Sequence, residues 1–172
     1  MSIQQHKVTE ILHTLPDDIV LVAEEIDYLD CQKTVIPKNI TAYDAYKKMT
    51  SQQPKWLEIL FTLRDHIVKL AGVRTIKGFA ELNEVKNADG SPDTVHFFTI
   101  RENSPDKLTL TVEDSHLDVC LCMRIVAEDN TDKNTLYLVA SVKNHNFFGK
   151  LYMCPVARLH PIIVKKLFTN IV

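Results

Sequence analysis

Residues 107–146 read KLTLTVEDSHLDVCLCMRIVAEDNTDKNTLYLVASVKNHN, and their period decides the fold. From His116 the pattern alternates. Leu117, Val119, Leu121, Met123 and Ile125 fall on one side, and His116, Asp118, Cys120, Cys122 and Arg124 on the other, as successive side chains of a strand do. Lys107–Glu113, Leu117–Val126 and Thr135–Asn146 are rich in β-branched and aromatic residues. Val95–Glu102 adds a strand upstream. The clusters Asn103-Ser104-Pro105-Asp106 and Asp129-Asn130-Thr131-Asp132 supply turns, and Asn87 to Pro92 supplies an earlier one. Strands this closely spaced form an antiparallel meander.

Working outward, the flanks are helical. Residues 41–50 form a helix with Thr41 as candidate cap. Pro54 to Leu70 gives the strongest helix signal, with Pro54 suited to the first turn and Gly72 to the C-terminal cap. Lys55, Glu58, Thr62, Asp65 and Lys69 make its polar stripe; Trp56, Leu60, Leu63 and Ile67 make the apolar one. Before these come a short helix over 3–15, an apolar run from Ile19 to Val22, and a strand from Ile26 to Ile36 closed by Pro37. After the meander the chain turns at Gly149 and ends in a helix within Pro155–Asn170, beginning near Arg158 so that Pro161 lies in the first turn. Grouped strands and segregated helices make an α+β fold. The expected arrangement is a helix-grip: a curved antiparallel sheet wrapped on a C-terminal helix, with two helices inserted after the first strand. One domain is expected over residues 1–172, with 1–25 as an N-terminal arm.

Composition narrows the function classes. A 45% hydrophobic and 24% charged chain is ordinary for a globular domain. A net charge of −2 gives no electrostatic footprint, so neither nucleic acid nor membrane is an expected partner, although a local basic patch is compatible with it. The N-terminus lacks the basic and apolar segments of a signal peptide, and no apolar run has transmembrane length. Cys31, Cys120, Cys122 and Cys154 are therefore expected as reduced thiols in the cytoplasm. The four glycines are too scattered for a P-loop or a G-x-G-x-x-G turn, and no cofactor is implied. G-x-S-x-G, H-E-x-x-H and C-x-x-C do not occur.

Leu63-Arg64-Asp65, Asp114-Ser115-His116-Leu117-Asp118, and Asn144 through Gly149 to Tyr152, together with a closing helix that carries His160, make a further pattern. From about Asp27 onward the chain resembles a bacterial family of unknown function in the wider START, polyketide-cyclase and Bet v 1-like superfamily. Members of that family often carry a proline just before the final helix; here Ala157 stands there, flanked by Pro155 and Pro161. The resemblance implies a fold and a cavity between sheet and helix, not a reaction.

Six residues are candidates for a site: Arg64, His116, Asp118, His145, Tyr152 and His160. Arg64 falls within the apolar arc of its helix, where a guanidinium needs an anion. It is an anchor for a ligand, or half of a buried pair with Asp114 or Asp118, or it snorkels outward. The His116, Asp118, Cys120 and Cys122 row invites a metal, but same-face neighbours on one strand lie about 7 Å apart and do not converge, so no metal site is expected. Asp118 could orient His116 as a base. His160, beside Leu159 and Ile163, is either a core histidine or a cavity acid–base group. His145 and Tyr152 flank the glycine turn, where Asn144 and Asn146 suit left-handed backbone.

The leading expectation is a module that binds a small hydrophobic or amphipathic molecule in that cavity. The alternative is a cyclase, dehydratase or isomerase using the histidines and Tyr152 as acid–base groups. A third is a homo-oligomeric interaction protein with no ligand.

Overall fold

A computed structural model describes residues 3–52, 55, 84–88, 92–129 and 131–171. The expected helix over 54–70, and Arg64, Gly72, Gly78 and Gly90 with it, lies outside the described residues.

Helix α1 spans Ile3–Leu12, strand β1 Tyr28–Pro37 and helix α2 Ala42–Ser51. Strands β2 (Glu84–Lys86), β3 (Pro92–Val95), β4 (Phe98–Asn103), β5 (Lys107–Glu113), β6 (Leu117–Ala127) and β7 (Lys133–Asn144) follow. Helix α3, Phe147–Phe168, closes the chain. Among the described residues the strands form one seven-stranded antiparallel sheet in the order β1-β7-β6-β5-β4-β3-β2. The meander returns to β1, so the first and last strands pair, Tyr28 opposite Val142 and Pro37 opposite Lys133. An α+β fold with an open antiparallel sheet and a C-terminal helix is consistent with a helix-grip.

The alternation of β6 sets the two faces. Leu121, Met123 and Ile125 join Leu108, Leu110, Leu136, Leu138 and Ile36 in one core, closed by Val164, Leu167 and Phe168 of α3 and by Ala45, Tyr46 and Met49 of α2. A smaller cluster at the other end of α3 joins Tyr28, Val142 and Met153 with Leu117, Val119 and Tyr152. This is the inner face. On the outer face Cys120, Cys122, Val139 and Ser141 are also buried, and the N-terminal arm touches two of them. The Val22 amide donates to Ser141 Oγ at 2.9 Å, and the Cys120 thiol lies 3.5 Å from the Val20 carbonyl.

Helix α2 begins where its cap requires. Thr41 Oγ1 accepts from the Asp44 amide at 3.1 Å and donates to the Asp44 carboxylate at 2.8 Å, which satisfies a first-turn donor. That hydrogen bond and the neighbouring Lys47 hold the Asp44 carboxyl below the usual carboxylate range.

Two elements depart from the sequence expectation. The expected strand Val95–Glu102 is a hairpin: Val95 pairs with Phe98 across a two-residue loop, and His96 takes φ +55°. Two-residue loops of type II′ ordinarily place glycine at this first position, so no glycine or asparagine marks the turn. The buried Tyr46 hydroxyl, 2.9 Å from His96 Nδ1, ties the strained residue to α2. The second departure is α3, which starts at Phe147 rather than near Arg158 and carries both Pro155 and Pro161 inside it. Each proline removes one internal hydrogen bond, a cost of about 3 kcal/mol in an isolated helix. The buried stripe Met153, Val164, Leu167 and Phe168 outweighs it. Asn146, expected as a turn residue, is the N-cap, with Oδ1 accepting from the Gly149 amide at 3.0 Å.

Candidate functional site

A polar group on the inner face joins β1 to α3. Tyr28, Asp30 and Gln32 alternate along β1 on the same face as Ile36, whose side chain is core. Asp30 is a carboxylate in that inward row and only 5% exposed. A buried carboxylate must be paired or bonded. Gln32 Nε2 donates to Asp30 Oδ1 at 3.1 Å, and His160 Nδ1, reaching down from α3, lies 3.1 Å from Asp30 Oδ2. The Tyr28 hydroxyl stands 3.4 Å from the same ring nitrogen, and the two rings meet edge to face at 6.0 Å.

The electrostatics follow from burial. Burial, and secondarily the Asp30 charge, pushes the Tyr28 phenol well above its ordinary range, so it stays protonated and available as a donor. The same two causes raise the Cys31 thiol on the opposite face of β1. An ionised carboxylate only accepts hydrogen bonds, so a charged Asp30 pairs with His160 in the tautomer that carries its proton on Nδ1. Among the described residues Nε2 of His160 has no hydrogen-bond partner. Carboxylate, imidazole and phenol together can bind a polar group or move a proton.

The other expected site residues divide. Tyr152 packs in the inner-face cluster that also holds Tyr28 and Val142, so it and His160 lie on one side of the sheet. Asp118 is on the outer face in register with Lys143, and its carboxylate pairs with His145 Nε2 at 2.9 Å, not with His116. His116 lies in the β5–β6 turn, its Nδ1 3.0 Å from Asn146 Nδ2 and its ring 4.8 Å from that of Phe148. It belongs to the junction at the start of α3. The Cys120 and Cys122 side chains are buried on the outer face; burial and the neighbouring Cys122 push the Cys120 thiol up to about 12. Among the described residues no group of three or more His, Cys, Asp or Glu is placed to hold a metal ion.

Sequence reasoning singled out His160 but missed Asp30 and Tyr28. A signal existed: alternate positions 28, 30, 32 and 34 share a face with Ile36, the most hydrophobic residue of the row. Asp30 therefore had to point inward with it.

The family model described as Protein of unknown function (DUF2867) matches residues 22–167, most of the chain. The chain belongs to that family. No curated protein matches it. The DUF2867 match runs from the end of the N-terminal arm to the last turn of α3, so both Asp30 and His160 lie inside it. No helix among the described residues is long and apolar enough to cross a membrane.

Proposed function

We propose that this DUF2867 protein binds a small hydrophobic or amphipathic molecule between its sheet and α3, with Asp30, His160 and Tyr28 receiving the polar end. One observation carries the reading: among the described residues a buried carboxylate, bonded to a half-buried imidazole, borders the apolar core of the inner face. Natural cores seldom retain such a group without a structural or binding role. The strand order, with β1 beside β7 and the terminal helix packed on the inner face, supports a helix-grip of the START and Bet v 1-like kind. Four free thiols support a cytoplasmic setting. Native mass spectrometry of the purified protein is the test. A co-purified mass that is retained by the wild type and lost by H160A is the expected result. A protein that is always empty, and that gives no shift of the His160 ring resonances with fatty acids, sterols or aromatic polyketides, overturns it.

A second reading has a specific observation behind it. A carboxylate on Nδ1 leaves Nε2 as a base, which suits a cyclase, dehydratase or isomerase. His160, with Tyr28 or Tyr152 as acid, would carry that chemistry. His145 and Asp118 would not, because they lie on the outer face.

A further inference from the structure

Three contacts at the start of α3 fix the state of one histidine. Asn146 is the N-cap, and its Oδ1 accepts from the Gly149 amide at 3.0 Å. That bond sets which way the side-chain amide is turned, because only its oxygen accepts. Nδ2 therefore faces the β5–β6 turn as a donor with two hydrogens. One goes to the Ser115 carbonyl at 3.2 Å and the other to His116 Nδ1 at 3.0 Å. His116 Nδ1 is then a bare acceptor, and the ring proton sits on Nε2. Asn146 has every polar atom bonded only while His116 is neutral.

We propose that this junction is an acid-sensitive latch: the Asn146 cap and a protonated His116 exclude each other, so acid loosens the first turn of α3. Protonation makes Nδ1 a donor, and two donors then face each other across the contact. His116 is held at its backbone. Its carbonyl accepts from the His145 amide at 2.9 Å, and Gly149 packs so closely that a Cβ there would lie 2.3 Å from the carbonyl oxygen. Movement therefore falls to the cap. When Asn146 withdraws, two amides lose their acceptor: Gly149, which bonds its side chain, and Lys150, which bonds its carbonyl at 3.3 Å. Tyr152 lies about one turn further along α3, in the inner-face cluster, so the latch acts on the helix that holds it against the sheet.

The surrounding charges favour this direction. Helix α3 is 22 residues long, and its N-terminus is the positive end of its dipole, where a cation is disfavoured. The carboxylates of the elements that meet there are engaged elsewhere. Asp114 of the turn accepts from the Ser115 amide at 2.6 Å, and Glu113 of β5 pairs with Arg101 at 2.6 Å. Asp118 of β6 pairs with His145 at 2.9 Å. In the N-terminal arm Glu25 lies 3.6 Å from Lys143 of β7, and Asp27 accepts from the Asn144 amide at 2.8 Å. Lys150 adds a further cation on α3 itself. Among the described residues no carboxylate bonds to the His116 ring. The Phe148 ring, 4.8 Å away, favours a cation and works against the latch, but it does not restore the acceptor that Asn146 Nδ2 loses. His145 responds in the opposite sense, because its protonation strengthens the bond to Asp118. The two histidines are therefore separable by substitution.

Hydrogen exchange of the full chain, read by NMR at about pH 8 and about pH 5, spans the interval in which histidine ordinarily changes charge. Protection factors, which remove the intrinsic pH dependence of exchange, should fall about fivefold or more in acid at Gly149 and Lys150, the loss of one net hydrogen bond. Amides inside β6 and β7 should keep theirs. Long-range proton–nitrogen correlation at about pH 8 should find the His116 proton on Nε2. H116Q, whose carbonyl accepts from Asn146 without titrating, should abolish the acid response, and H145Q should keep it. N146D should reverse it: the carboxylate still caps Gly149 but attracts a protonated His116, so protection rises in acid. Protection at Gly149 and Lys150 that is the same at both pH values overturns the inference. So does a fall of equal size in H116Q, a fall retained in N146D, or a proton on His116 Nδ1 in the alkaline sample.

Discussion

Gly149→Ala tests the junction that positions α3 and, through it, His160. A Cβ built at Gly149 would lie 2.3 Å from the His116 carbonyl oxygen, 3.2 Å from its carbon and 3.2 Å from Asn144 Oδ1. The obstacle is backbone, and it is engaged: the same His116 carbonyl accepts from the His145 amide at 2.9 Å. The methyl therefore forces the start of α3 away from the β5–β6 turn. Overpacking of this kind costs about 1–3 kcal/mol. Against it stands the gain from replacing a helical glycine by alanine, up to about 1 kcal/mol. A net loss of about 1–2 kcal/mol is expected. For a chain of this size that lowers Tm by roughly 2–8 °C. Urea unfolding followed by far-UV circular dichroism should show a lower midpoint at unchanged slope. Gly149→Val should cost more, since its second branch meets the same carbonyl. An alanine variant as stable as wild type, or more so, would refute the tight-junction reasoning, because propensity alone would then have decided the outcome.

Other expectations are open to direct measurement. His160→Ala removes one partner from the buried Asp30 carboxylate and should cost about 2 kcal/mol in urea; an unchanged midpoint would mean that Asp30 does not depend on the imidazole. Tyr46→Phe keeps the core volume but deletes the hydroxyl that meets His96 and should cost about 1 kcal/mol, with the β3–β4 hairpin exchanging its amides faster. Cys120 ionises at about 12 in the fold against 9.0 for an unperturbed thiol, so between those values the unfolded chain holds fewer protons than the native one. Stability from this group is therefore complete below pH 9 and is lost as pH rises toward 12. A thiol reagent at neutral pH should label Cys120 and Cys122 only as fast as the protein unfolds, and rapid native labelling of both would contradict the buried outer face.

Much of the fold is legible because period and punctuation are local. The β6 alternation gave Leu121, Met123 and Ile125 to the core without reference to any partner, and Thr41 marked the start of α2 to within one residue. The final helix was misplaced because Pro155 and Pro161 are local signals against a helix, whereas the burial that overrides them comes from strands distant in sequence. The His96 turn was missed because the contact that holds it, from Tyr46, is fifty residues away.

By itself the sequence determined the class of the fold, the meander and the alternation of β6, which rest on spacing along one strand or helix, and its motifs carried the resemblance to a family of unknown function. Only the tertiary structure decided which polar residues meet. His116 and Asp118 are neighbours in sequence, yet strand alternation and the turn before α3 send one to the Asn146 cap and the other to His145. Asp30 and His160 are far apart in sequence, and the packing of α3 on the inner face brings them to 3.1 Å. A buried charge takes its partner from whatever element the fold lays over it, and that choice is not written in the spacing of either residue.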